Sequence, residues 1–275
     1  MDDKNDLTMA QVDQKLTLEE ELFCTRYELD ILSGIINFNM LERWVPGYCA
    51  PQTHKEHVCR YDWVKEFVKD KAVLDIACGT GYGSYKMAEE GGAKKVMACD
   101  IDERTVKYAS IRNRHRNILF QVNNAERLTF ENEFDVVISF ETIEHLNEPE
   151  TFLKNVNKAL TPDGTFFVST PISALIEDTT PANKYHKVEW GFKRFREVVA
   201  KHLNVNDIYL QLYSVPLKPS TKMGARILRK TGLAKQDISG MIEKLEPHRW
   251  SPEELAEELI GHEWAGYQIL QCKKK

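Results

Sequence analysis

Long hydrophobic runs are missing from this 275-residue chain. None approaches the roughly 20 consecutive apolar residues that span a bilayer, so no membrane span is expected. The start, Met1-Asp2-Asp3-Lys4-Asn5-Asp6, is polar and acidic. It lacks the cationic segment and apolar core of a secretory signal, and a cytoplasmic location is the expectation. Six cysteines are present, none in a C-x-x-C pair, which argues for reduced thiols and against a zinc site. An excess of positive charge is also absent. The net charge of −5 speaks against a large nucleic-acid footprint. There is no internal repeat and no low-complexity tract. What remains is 42% hydrophobic and 29% charged, the composition of a soluble globular protein. The length suits one large α/β domain, or a domain with attached segments.

Strands and helices alternate through the middle of the chain. Expected strands are Ala72–Ala77, Lys95–Asp100, Ile118–Val122, Phe134–Phe140 and Thr165–Thr170, with helices near Gly83–Glu90, Glu103–Arg114 and Glu148–Ala159 between them. Pro162-Asp163-Gly164 reads as a turn. Phe192–His202 reads as a further helix, Val205–Tyr213 as a strand, and Tyr267–Cys272 as a final edge strand. Such alternation with short connections predicts a Rossmann-like, doubly wound, mainly parallel seven-stranded sheet with helices on both faces. Residues 1–70 are expected to be a tail and a helical cap. Thr17-Leu18-Glu19-Glu20 is a capping box opening one helix, and residues 54–68 carry apolar positions at helical intervals. The main domain is then 71–275. Within it, residues 216–261 read as an insertion and a possible lid over an acceptor. A helix opens there at Ser251-Pro252, and Lys218, Lys222, Arg226, Arg229, Lys230 and Lys235 form a basic stretch. That stretch suits a phosphate, an acidic glycan or a membrane surface, and equally a solvated helix face.

The most informative segment is Val73-Leu74-Asp75-Ile76-Ala77-Cys78-Gly79-Thr80-Gly81-Tyr82-Gly83. An apolar strand breaks into glycines at every second position, then a helix begins. Glycine permits backbone angles and close approaches that a Cβ blocks, so this is a nucleoside cradle. The spacing is neither the G-x-G-x-x-G of dinucleotide folds nor the G-x-x-x-x-G-K-[ST] of phosphate loops. It lacks the phosphate-binding lysine and has an acid, Asp75, before the glycines. That suits a nucleoside without phosphates and with a cationic amine. By itself the motif leaves open an ordinary strand–turn–helix corner and a site for nicotinamide adenine dinucleotide (NAD).

The segment resembles motif I of class I S-adenosylmethionine-dependent methyltransferases, and the resemblance extends over about residues 74–170. It implies S-adenosylmethionine as cofactor, with Gly79 and Gly81 against its methionine tail and ribose, and Asp75 near its α-amino group. Asp100, ending the second strand, would accept the ribose hydroxyls, a device shared with NAD enzymes. Ile101 would pack on the adenine. Asn124 stands where the family usually has Asp, and Ala125 would offer its backbone N–H to the ring. Phe140 would place its carbonyl near the amino group, and Arg60 would pair with the cofactor carboxylate.

Glu141-Thr142-Ile143-Glu144-His145 follows the fourth strand. It resembles the Glu-x-x-Glu-His segment of ubiquinone O-methyltransferases and of sugar and surface-glycan methyltransferases. The resemblance implies a hydroxyl acceptor on a sugar or small metabolite, with His145 as general base, since an imidazole titrates near neutrality. His186, in Tyr185-His186-Lys187-Val188-Glu189-Trp190, would line the acceptor pocket. A similar layout in small-RNA 3′-terminal 2′-O-methyltransferases implies an alternative. There Glu141, Glu144, His145 and His186 would hold a divalent metal and the acceptor would be an RNA ribose. A non-catalytic S-adenosylmethionine-binding protein and an NAD oxidoreductase are the other readings.

Overall fold

In a computed structural model of the chain, the residues described are 15–38, 45, 51–172, 181, 183–214, 248–249 and 264–275. The basic stretch, the Ser251 helix start and nearly all of the 216–261 insertion lie outside them.

Two helices precede the sheet, α1 (Leu18–Phe38) and α2 (Pro51–Val64). The capping box opens α1 as expected. Thr17 N–H donates to Glu20 Oε2 at 2.9 Å, and Glu20 N–H donates to Thr17 Oγ1 at 3.2 Å. The alternating region follows as β1 (Ala72–Ile76), α3 (Tyr82–Glu89), β2 (Lys95–Asp100), α4 (Glu103–Arg112), β3 (Ile118–Val122), β4 (Phe134–Phe140), α5 (Pro149–Ala159) and β5 (Leu160–Ile172). The chain closes with α6 (Phe192–Ala200), β6 (Asn204–Ser214), a two-residue β7 (His248–Arg249) and β8 (Trp264–Lys273).

All strands join one sheet in the order β3-β2-β1-β4-β5-β8-β6-β7. The seven expected strands are there, and β7 adds a short rung on β6. β1 to β5 pair in parallel, and β8 runs antiparallel to both β5 and β6. The last strand is therefore interior, not an edge. Ile269, Leu270 and Cys272 are fully enclosed, so both faces of this strand are covered. The Pro162-Asp163-Gly164 turn is absorbed into β5 as a bulge between the Phe134–Leu160 and Val136–Thr165 pairings.

Alternation along the strands divides the core into two layers. Leu74 and Ile76 of β1 face α5 and α6, packing with Phe152, Phe166 and Phe195. Each fully buried side chain of this size stabilises by roughly 1.5–3 kcal/mol. Val73 faces the other way, with Met87 of α3 and Tyr61 and Val64 of α2. Asp75 lies on that second face, a carboxylate in an apolar layer. α1 is held outside this layer on α4 by a Tyr27–Tyr108 stack at 4.5 Å and by Arg112 with Glu21 and Glu28. No described helix is long and apolar enough to cross a membrane.

Candidate active site

The parallel strands point their C-terminal ends to one rim, and the sequence-predicted residues gather there. Ala77, Gly79 and Gly81 have φ of 58°, 56° and 83°. A Cβ on Gly81 would come within 2.8 Å of Ala109 and Phe120, and one on Gly83 within 2.2 Å of the Tyr61 ring. These two glycines serve packing. A Cβ on Gly79 would meet nothing within 4 Å, so Gly79 borders open space, and its bareness is required by backbone conformation and not by any protein neighbour.

Asp100 braces this loop. Its Oδ2 accepts from Gly79 N–H at 3.1 Å and its Oδ1 from Asp102 N–H at 3.0 Å. Ile101 beside it is 66% exposed, an apolar surface at the rim. Asn124 caps the short turn Ala125–Arg127, with Oδ1 accepting from Glu126 N–H at 2.8 Å, and Ala125 packs at the core margin. Phe140 is buried against Tyr61, ring to ring at 5.2 Å.

Asp75 is fully buried. It accepts from Tyr61 Oη at 3.1 Å and Ser84 Oγ at 2.6 Å. Burial pushes its pKa up to about 7, against the pull of these two hydroxyls. Ser84 was not legible as a partner, because a lone serine in a helix has no pattern. Arg60 is also enclosed. Its Nη1 donates to Gln211 Oε1 at 2.7 Å and its guanidinium lies 4.0 Å over the Tyr267 ring, so its fixed contacts are with β6 and β8. Its Nη2 has no hydrogen-bond partner.

Beyond β4 the chain turns sharply. Glu141 holds φ of 52°, a left-handed conformation that costs an L-residue about 1–2 kcal/mol. Its Oε1 accepts from Ser169 Oγ at 2.6 Å. Burial raises its pKa, opposed by the Arg60 charge. Glu144 is completely enclosed; burial, then the neighbouring Glu141, raises its pKa well above the carboxylate range. Thr170 Oγ1 donates to Glu144 Oε2 at 3.2 Å, while Oε1 has no hydrogen-bond partner.

Two imidazoles meet above this carboxyl, edge to face with centroids 4.8 Å apart. The His145 Nδ1 lies 3.2 Å from the Tyr185 carbonyl, and the His186 Nδ1 lies 3.0 Å from Glu189 Oε1. Carbonyl and carboxylate oxygens only accept, so each Nδ1 carries a proton, and in the neutral form of either ring the lone pair lies on Nε2. Lys187 N–H donates to the Glu144 carbonyl at 2.7 Å, which ties the two segments together. Glu144, His145 and His186 can each offer a ligand atom within 4.8 Å of the others. Glu141 stands apart from this group, turned to Ser169.

A family model described as a methyltransferase domain matches residues 67–232. The chain belongs to the class I S-adenosylmethionine-dependent methyltransferases. Among curated proteins, this methyltransferase is 31% identical over 162 residues to a Mycolicibacterium smegmatis protein named as a probable S-adenosylmethionine-dependent methyltransferase, covering 58% of the chain and 62% of that protein. It is 30% identical over 146 residues to the ubiquinone biosynthesis O-methyltransferase of Hydrogenovibrio crunogenus, covering 50% and 60%. The methyltransferase thus spans about three-fifths of the length of these relatives. Among solved structures, the [4+2]-cyclase SpnF superposes with a TM-score of 0.57 at 15% identity, covering 93% of this chain and 96% of that one. At that identity the likeness is one of fold.

Proposed function

We propose that this methyltransferase moves a methyl group to a hydroxyl of a sugar or another small metabolite. The observation that carries the reading is the pair of imidazoles, His145 and His186, fixed through their Nδ1 atoms beyond the end of β4, the strand that pairs with β1. When bound, S-adenosylmethionine supplies an activated methyl on a sulfonium. The residues present fit it. The open side of Gly79 admits a ligand against the backbone. Asp100, ending β2, is an acceptor of the kind that ribose hydroxyls need, Ile101 offers an exposed apolar face for the adenine, and Asn124 and the Ala125 N–H would meet the ring edge. Gly81, Phe140 and Asp75 close the methionine end, and the unpartnered Arg60 Nη2 suits the carboxylate.

With the donor already activated, the protein's tasks are alignment of the acceptor and removal of its proton. His145 takes that proton on Nε2, the ring being held by the contact of its Nδ1 with the Tyr185 carbonyl. His186 holds the acceptor from the other side, oriented by Glu189. The test is a transfer assay with labelled cofactor against nucleotide sugars, glycans, quinols and RNA, repeated with His145→Ala and His186→Ala. Turnover that survives both substitutions would overturn the assignment. The same fold in a [4+2]-cyclase is why the fold alone cannot carry it.

A second reading is favoured by one atom. Glu144 Oε1 is buried without a partner, an arrangement costing roughly 1–3 kcal/mol that a cation would relieve. Glu144, His145 and His186 fit a divalent ion through a carboxylate oxygen and two imidazole nitrogens, with Glu189 orienting one ligand. Such an ion would lower the pKa of an acceptor hydroxyl. Calorimetric titration of the metal-stripped protein with Mg²⁺, Mn²⁺ and Zn²⁺ tests this. No binding heat, with full activity after chelation, removes it.

A further inference from the structure

Helix α1 has two apolar faces. One, with Cys24 and Tyr27 buried, lies on α4 with Tyr108. The other carries Leu18, Leu22, Leu29 and Ile36, which are 85%, 48%, 56% and 72% exposed. These are four of the seven large hydrophobic residues exposed among the described residues. Their spacing of four, seven and seven, with half-buried Leu32 and with Thr25 between, is the heptad of a helix–helix seam. Leu22, Leu29 and Ile36 fall at a, and Leu18, Thr25 and Leu32 at d. At 3.6 residues per turn this seam lies on the opposite side of the helix from Cys24 and Tyr27.

We propose that this seam joins two copies of the chain through parallel pairing of α1 with α1. A heptad seam repeats its own pattern, so it complements itself across a two-fold axis. Charge agrees with the parallel arrangement. Glu21 falls at g and Arg26 at e, the positions that meet across a parallel pair, so Glu21 faces Arg26 of the second copy. Arg26 is exposed and makes no ion pair among the described residues. Glu21 keeps about half its exposure beside Arg112. The acids of the first turn, Glu19, Glu20 and Glu21, disfavour an anionic bilayer as the occupant. The seam is about 27 Å long at 1.5 Å per residue. It falls at the low end of stable interfaces, which bury about 1,200–2,000 Å², so the dimer is expected to dissociate reversibly at micromolar concentration.

The experiment is sedimentation velocity of the full chain from about 1 to 100 µM, a span bracketing micromolar dissociation. The native protein is expected to pass from monomer to dimer. Leu29→Lys is expected to weaken the dimer at least tenfold, with cofactor binding unchanged as the check on folding. Arg26→Glu is expected to weaken it, and Glu21→Lys with Arg26→Glu to restore it. A native protein monomeric throughout, or a dimer indifferent to Leu29→Lys, overturns the proposal. A seam occupied by residues 1–14 of the same chain would give the monomeric result.

Discussion

Replacing Asp75 with asparagine should stabilise the cofactor-free protein above neutral pH, although it alters a motif residue. Asp75 is fully buried and its pKa is raised from 3.8 to about 7. The native state therefore binds more protons than the unfolded state between those values, and stability falls as pH rises through that window. For one such group, linkage gives a loss of about 2.6 kcal/mol between pH 5 and pH 8. Asparagine does not titrate. Its amide can accept from one of the Tyr61 and Ser84 hydroxyls and donate to the other. Other groups, Glu144 among them, also change with pH, so the quantity to follow is the difference between the two proteins. Urea unfolding of both at pH 5, 6, 7 and 8 supplies it. The stability of Asp75→Asn relative to the native chain should climb by about 2–3 kcal/mol across the series. A flat difference would mean that Asp75 is ionised in the native state throughout, and would refute the reasoning. The same substitution removes a charge from the amino-group end of the proposed donor site. S-adenosylmethionine affinity at pH 8 should drop by about tenfold, near 1.4 kcal/mol.

The glycines separate by role. Gly79→Ala meets no neighbour but must hold a left-handed backbone; a modest loss of about 1–2 kcal/mol in stability and a large loss of cofactor affinity by calorimetry are expected. Gly83→Ala drives a Cβ into the Tyr61 ring. It should cost about 1–3 kcal/mol or more and lower the melting temperature further than Gly79→Ala; the reverse order would sink the packing argument. His145→Ala should reduce kcat by about 10²–10⁴ and leave the S-adenosylmethionine Kd within about twofold, a split that a structural histidine would not produce. Glu144→Gln neutralises a carboxyl already driven toward its protonated form. If no metal binds there, activity should survive it, whereas metal-dependent activity should be lost together with the binding heat.

Most of the architecture was legible because parallel strands buried on both faces read as apolar runs. Val136-Val137-Ile138 has no polar residue to mislead, and all three are enclosed. The position of β8 was not legible. Its sequence, Tyr267-Gln268-Ile269-Leu270-Gln271-Cys272, reads as a last apolar stretch at an edge, with two glutamines in it. Yet Gln268 is buried and donates to the Trp190 carbonyl at 3.0 Å. A polar side chain that finds a distant backbone partner looks, in one dimension, like a solvated one.

The site shows the same limit in a sharper form. Strand periodicity alone puts Asp75 on the face of Val73 and not of Leu74, so that placement follows from the sequence. Its partners do not, since Tyr61 comes from an earlier helix and Ser84 from an unremarkable position in the next. Likewise Glu141 and Glu144 are equivalent letters in Glu-x-x-Glu-His, and only the backbone separates them. With φ of 52°, Glu141 bends back to Ser169, while Glu144, one turn on, lies beneath the two histidines. Ala77, ending β1, holds φ of 58°, so non-glycine residues at the rims of β1 and β4 share the same costly conformation. Strain of this kind persists where surrounding structure over-determines it. Here the two strained positions end adjacent parallel strands, one leading into the glycine loop and the other into the segment that carries His145.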